Sequence, residues 1–103
     1  MALNVFELRN YQIQPGLREH FIDYFEEHFI QSQQEVGLHV LGQFRLDGAP
    51  DRFVWLRAFT DMPSRLAGLQ AFQAGAAWLK HRATTNAMII DNDQVHLLRP
   101  LGD

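Results

Sequence analysis

Apolar positions change their period several times along the chain, and each change marks an element. Residues 5–13, Val-Phe-Glu-Leu-Arg-Asn-Tyr-Gln-Ile, mix β-branched, aromatic and polar side chains in strand fashion. Pro15-Gly16 ends that strand, and proline suits the first turn of a helix, where its missing N–H is not needed. From Leu17 the apolar positions recur at helical spacing through Phe21, Tyr24, Phe25, His28 and Phe29, with Glu19, Asp23, Glu26 and Glu27 mostly opposite. This predicts an amphipathic helix of about five turns that buries one stripe. Gly37 stands where a left-handed cap is expected.

Residues 38–47 and 52–60 read as two strands joined by Gly48-Ala49-Pro50-Asp51, a hairpin loop. Asp61 suits the cap of the next helix, with Pro63 in its first turn. That helix covers roughly 63–73 with Leu66, Leu69 and Phe72. Gly75 breaks or bends it, and a second helical stretch runs from Ala76 to Met88. Asp91-Asn92-Asp93 reads as a turn and Gln94 to Leu101 as the last strand. The order is β-α-β-β-α-β with the second helix split. It predicts one α+β domain over residues 1–103, a ferredoxin-like four-stranded antiparallel sheet with its helices on one face.

Alternate strand residues point to opposite faces. In the first strand Val5, Glu7, Arg9, Tyr11 and Ile13 oppose Phe6, Leu8, Asn10 and Gln12. In the second, Leu38, Val40, Gly42, Phe44 and Leu46 oppose His39, Leu41, Gln43 and Arg45. The third sets Phe53, Trp55, Arg57 and Phe59 against Val54, Leu56, Ala58 and Thr60. Neither face is cleanly polar, as a solvated antiparallel face should be. Helices cover only one, so the other is expected to meet a second copy of itself in a two-fold homodimer with two sheets packed together.

Composition narrows the function classes. Nine basic against twelve acidic residues give a net charge of −3, and the basic set is scattered arginines plus Lys80. No nucleic-acid footprint or membrane-surface patch is expected from that balance. The absence of cysteine removes disulfides, thiolate nucleophiles and cysteine-based metal sites. No apolar run is long enough to span a bilayer, and Met1 to Asn4 does not open like a secretory signal, so a cytoplasmic location is expected.

The stretch Glu7-Leu8-Arg9-Asn10-Tyr11-Gln12-Ile13-Gln14-Pro15-Gly16 resembles the opening of NIPSNAP proteins, E-L-R-x-Y-x-I-x-P-G. Gly42-Gln43-Phe44-Arg45 and Asp51 to Phe59 are similar to that family's G-x-W-R hairpin and N-R-V-V-H-L-W-A-Y strand. Trp78 and the closing stretch from Ile90 to Pro100 extend the resemblance over nearly the whole chain. Phe44 replaces the usual Trp, Trp55 stands at the family's His position and Arg57 at its Trp position, so the family His does not carry over to residue 55. The resemblance implies a dimeric α+β barrel and no settled enzymatic activity, some members being interaction or vesicle-associated proteins.

Glu7, Arg9 and Tyr11 share one strand face, where a carboxylate, a guanidinium and a phenol can bind a polar small molecule or simply pair with one another. Arg45 and Arg57 can join such a pocket or form cross-strand pairs. His28 lies in the apolar stripe one turn after Tyr24, facing the sheet, as a proton carrier or a hydrogen-bonded core residue. His20 is two turns away, and no His-x-x-x-His or Glu-x-x-His pattern is present, so no metal site is expected. His81 is the one cofactor lead, because a helix histidine ligates iron in haem-handling relatives of the barrel architecture; no cofactor is expected on the residues alone. The Asp91 to Asp93 run lacks the later residues of a calcium loop.

Three functions follow. The first is a small homodimer of unassigned role binding a small molecule between helices and sheet through Glu7, Arg9, Tyr11, His28 and Trp55. The second is a cofactor-independent monooxygenase with an aromatic-lined pocket formed by Phe44, Phe59, Trp55 and Tyr24. The third is an interaction module, which a pocket-free interior would favour.

Overall fold

A computed structural model of the chain describes residues 2–102. The elements are β1 (Val5–Ile13), α1 (Arg18–His28), α2 (Gln31–Gln34), β2 (His39–Arg45), β3 (Arg52–Phe59), α3 (Met62–Ala74), α4 (Ala76–Met88) and β4 (Ile89–Leu98). They form one four-stranded sheet in the order β2-β3-β1-β4, with all neighbours antiparallel. This is the ferredoxin-like α+β arrangement, with β1 and β3 at the centre.

Register places Glu7 opposite Arg57, Arg9 opposite Trp55 and Tyr11 opposite Phe53. Tyr11, Ile13, Phe53 and Trp55 pack with Phe21, Ile22, Phe25 and Phe29 of the first helical segment and with Met88. Val5 and Phe59 form a second cluster with Leu38 at the other end of the sheet. The helices therefore cover the odd-numbered face of β1 and β3. The opposite face carries Phe6, Leu8, Val54 and Leu56 at its centre, all half-buried, and Phe44 at its edge, 53% exposed.

The strict alternation expected for residues 38–47 fails inside β2. Val40 pairs with Arg57 and Gly42 with Leu56, so Leu41 is an extra residue. Such a bulge inverts the faces beyond it. Phe44, which alternation groups with Leu38 and Val40, therefore pairs with Val54 on the open face, and Arg45 turns to the helix side beside Glu19.

The single five-turn helix is also corrected: it divides into α1 and α2 around Phe29 and Ile30. Side chains take up carbonyls at the break, with Ser32 Oγ donating to His28 O at 2.7 Å and Gln33 Nε2 to Phe29 O at 2.8 Å. Such local bonds offer the backbone an alternative to a continuous helix. Gly37 has φ +87°, consistent with the left-handed position expected there. Asp61 caps α3, accepting from Ser64 N at 2.7 Å, and Gly75 separates α3 from α4.

Asp91-Asn92-Asp93 is not a turn between elements. It lies within β4, which begins at Ile89, and the register against β1 shifts between Asn10 and Ile13. Asp93 N donates to Asp91 Oδ1 at 2.8 Å, so the turn-forming chemistry is spent on an irregularity inside a strand.

Candidate functional site

The centre of the helix-covered face is a buried charge cluster. Glu7, with no exposed surface, is held by three guanidinium groups. Arg57, directly across the β1–β3 ladder, donates from Nε at 3.2 Å and Nη2 at 3.1 Å; Arg9 Nη1 donates at 2.6 Å and Arg65 Nε, from the first turn of α3, at 3.0 Å. Burial alone would raise the Glu7 carboxyl, but the Arg57 charge and the hydrogen bonds from Arg57, Arg65 and Arg9 outweigh it and hold the group at about 2. Burial lowers Arg57 below its ordinary value against the pull of Glu7, whereas Arg9 is raised, Tyr11 and Glu7 outweighing its burial.

The arginines are positioned in turn. Arg57 Nη1 donates to Gln33 Oε1 at 2.7 Å, and Gln33 is anchored on Phe29 O where the first helix breaks. Arg9 Nε donates to Tyr11 Oη at 3.0 Å. The Arg57 guanidinium lies 4.8 Å from the centre of the Trp55 ring, within cation–π range.

Beside this cluster lies a cavity of about 250 Å³ between sheet and helices. Arg9, Arg57, Tyr11, Gln33 and Trp55 line it together with Phe21, Phe25, Phe29, Leu69, Phe72 and Trp78, and Gln73, Thr85, Asn86 and Asn92 add neutral polar groups. Trp55 is 3% exposed, and its indole N–H is buried without an acceptor. Small-molecule sites combine apolar walls with a few convergent polar groups in this way. The structure thus brings Arg9, Tyr11 and Trp55 together on the lining, with Glu7 behind them.

A family model for NIPSNAP matches residues 6–103. The chain belongs to the NIPSNAP family. A solved NIPSNAP domain protein from Burkholderia xenovorans is 18% identical and superposes with a TM-score of 0.86, over 95% of this chain and 95% of that one. A NIPSNAP protein of unknown function from Agrobacterium tumefaciens is 19% identical, with a TM-score of 0.84 over 94% of this chain and 87% of that one. An antibiotic biosynthesis monooxygenase-like protein from Bordetella bronchiseptica, 17% identical, reaches a TM-score of 0.76 over 98% and 100%. At such identities these likenesses show the fold. Among curated proteins no relative matches the sequence.

His28 of this NIPSNAP chain stands apart from the cavity. Its ring stacks on that of His81 with centroids 3.7 Å apart, and Tyr24 Oη bonds His81 Nδ1 at 2.5 Å. The expectation that His28 faces the sheet is therefore corrected: the stripe widens at its end, and His28 meets α4 sideways with its side chain 22% exposed. His81 is lowered from its ordinary value, chiefly by loss of water and then by His28 and Lys80. The aromatic set expected around one cavity also changes. Of Phe44, Phe59, Trp55 and Tyr24, only Trp55 lines it. Arg45 pairs with Glu19 at 2.5 Å on the surface.

Two members of the NIPSNAP cluster escaped the sequence reading. Gln33 continues the four-residue spacing Phe21, Phe25, Phe29, and a lone amide on an apolar stripe is a readable signal. Arg65 has no such mark, because only the packing of α3 brings it to Glu7.

Proposed function

We propose that this NIPSNAP chain is a homodimer that binds a small molecule in the cavity between its helices and its sheet, with Arg9, Tyr11 and Trp55 as contacts and Glu7 as the residue that positions the arginines. The observation that carries this reading is the cavity itself: about 250 Å³ beside an unpartnered, buried indole N–H and two clamped arginines. A domain packed only for stability fills such a space or satisfies such a donor. His28 has no part in the lining and drops out of the contact set.

The open sheet face supports the dimer. Leu8 and Leu56 are directly paired at its centre, and Phe44 and Leu98 (45% exposed) extend the apolar surface to both edges. A self-complementary patch of this kind is covered most simply by a second copy. Native mass spectrometry of protein purified without added ligand tests both claims. The expected species is a dimer with reproducible extra mass, and Leu56→Asp is expected to give a folded monomer. A wild-type monomer refutes the dimer.

The apolar wall supports a second reading, a cofactor-independent monooxygenase, together with the fold likeness to the Bordetella protein. Oxygen uptake across phenolic and quinol substrates checks it; no uptake above the uncatalysed rate refutes it. The cavity weighs against a pure interaction module.

A further inference from the structure

We infer that the cavity takes an organic monoanion, a carboxylate carried on a compact apolar body. This rests on the small-molecule reading above and specifies its chemistry. The argument begins with charge. Three arginines surround one carboxylate, so the cluster carries a net charge of +2. Arg65 is absent from the lining and its side chain is 22% exposed, where water answers its charge. What remains is Arg9 and Arg57 against Glu7, a single positive charge at the cavity wall. No Asp or Glu among the described residues lines that wall. Glu7 answers the buried charge of Arg57, so the surplus falls on Arg9, whose side chain is 17% exposed on the cavity lining, where an anion can reach it.

Donor geometry points the same way. Arg9 uses Nε for Tyr11 and Nη1 for Glu7, which leaves Nη2 with no bonded partner among the described residues. The buried Trp55 N–H also lacks an acceptor. The free Arg9 Nη2, on a residue of the cavity wall, calls for a ligand that accepts, and the planar fork of arginine matches a carboxylate. Glu7, Gln33 and Tyr11 hold the arginines in place before the ligand arrives, so little ordering is left to binding. Phe25, Phe29, Phe72 and Trp78 supply apolar wall for the body of the ligand, and the remaining polar residues of the lining, Gln73, Thr85, Asn86 and Asn92, carry no charge. At about 30 Å³ per water the cavity holds roughly eight waters, which suits a body of one or two rings.

Both tryptophans of the chain line the cavity, so their fluorescence reports its occupancy. The test titrates wild-type protein with two probes of one shape, hydrocinnamate and its neutral amide, neither of which absorbs the tryptophan emission. Hydrocinnamate is expected to bind at least tenfold more tightly than the amide, and Arg9→Gln is expected to reduce that preference to threefold or less while the amide binds as before. Equal affinity of the two probes for the wild type overturns the anion inference and leaves the cavity as a binding site. No saturable change with either probe overturns the small-molecule reading and this inference together. A preference that survives Arg9→Gln in full overturns the assignment of the charge to this cluster.

Discussion

Replacing Glu7 with Gln tests the central feature of the fold most directly. The substitution keeps the volume and removes the only carboxylate among three guanidinium groups, leaving Arg57, 4% exposed, without its counter-charge. Breaking a buried ion pair by removing one partner costs about 3–5 kcal/mol. Protonation gives an independent figure. The carboxyl is lowered from 4.5 to about 2, and at about 1.36 kcal/mol per pH unit that corresponds to roughly 3 kcal/mol. Because the folded value lies below the unfolded one, this stabilisation is fully present above about pH 4.5 and drains away as pH falls towards about 2. Urea denaturation at pH 7 followed by circular dichroism should therefore show Glu7→Gln weaker by about 3 kcal/mol with an unchanged slope. On a domain of this size that is a fall in Tm of about 12–24 °C. The difference between wild type and variant should shrink as the acid limb is descended. Adding Arg57→Met should restore part of the loss, since an apolar side chain no longer needs a counter-charge. A loss below about 1 kcal/mol at pH 7, or a difference constant between pH 7 and the acid limb, would refute the reasoning and mean that water screens the cluster.

Three further substitutions probe packing and capping. A Cβ on Gly68 would lie 2.6 Å from Leu38 Cδ2 and 3.0 Å from Val36 O, both against a filled core, so Gly68→Ala should lose roughly 1–2 kcal/mol by thermal denaturation despite the helix preference of alanine. Gly42→Ala is the contrast: its Cβ meets only the far end of the Phe44 side chain, at 2.9 Å and outside the monomer's core, so the loss should be smaller than for Gly68→Ala. Asp61→Ala removes the acceptor for Ser64 N at the start of α3 and should cost about 1 kcal/mol, read as a lowered urea midpoint.

Much of the candidate site was legible before any coordinates. Glu7, Arg9 and Tyr11 sit two residues apart on one strand, and a strand places such residues on one face whatever surrounds it. Trp55 and Arg57 carry the same parity on the third strand, although their register against Glu7 and Arg9 is a long-range fact. His28 shows where such reasoning stops. Helical spacing puts it near the apolar stripe, but its neighbour is decided by α4, fifty-three residues away at His81.

The sequence by itself determined the order of the elements, the bounds of β1, the split at Gly75 and the Asp61 cap. These depend on local steric preference, capping bonds and period, which act within a few residues. The tertiary structure alone decided that Leu41 bulges and turns Phe44 to the open face, that Asp91 to Asp93 bends within a strand, and that Gln33 and Arg65 join Glu7. Each of those outcomes turns on which partner strand or helix arrives and at what register. A one-residue shift in pairing reverses every side chain beyond it, and no local preference is strong enough to specify that shift.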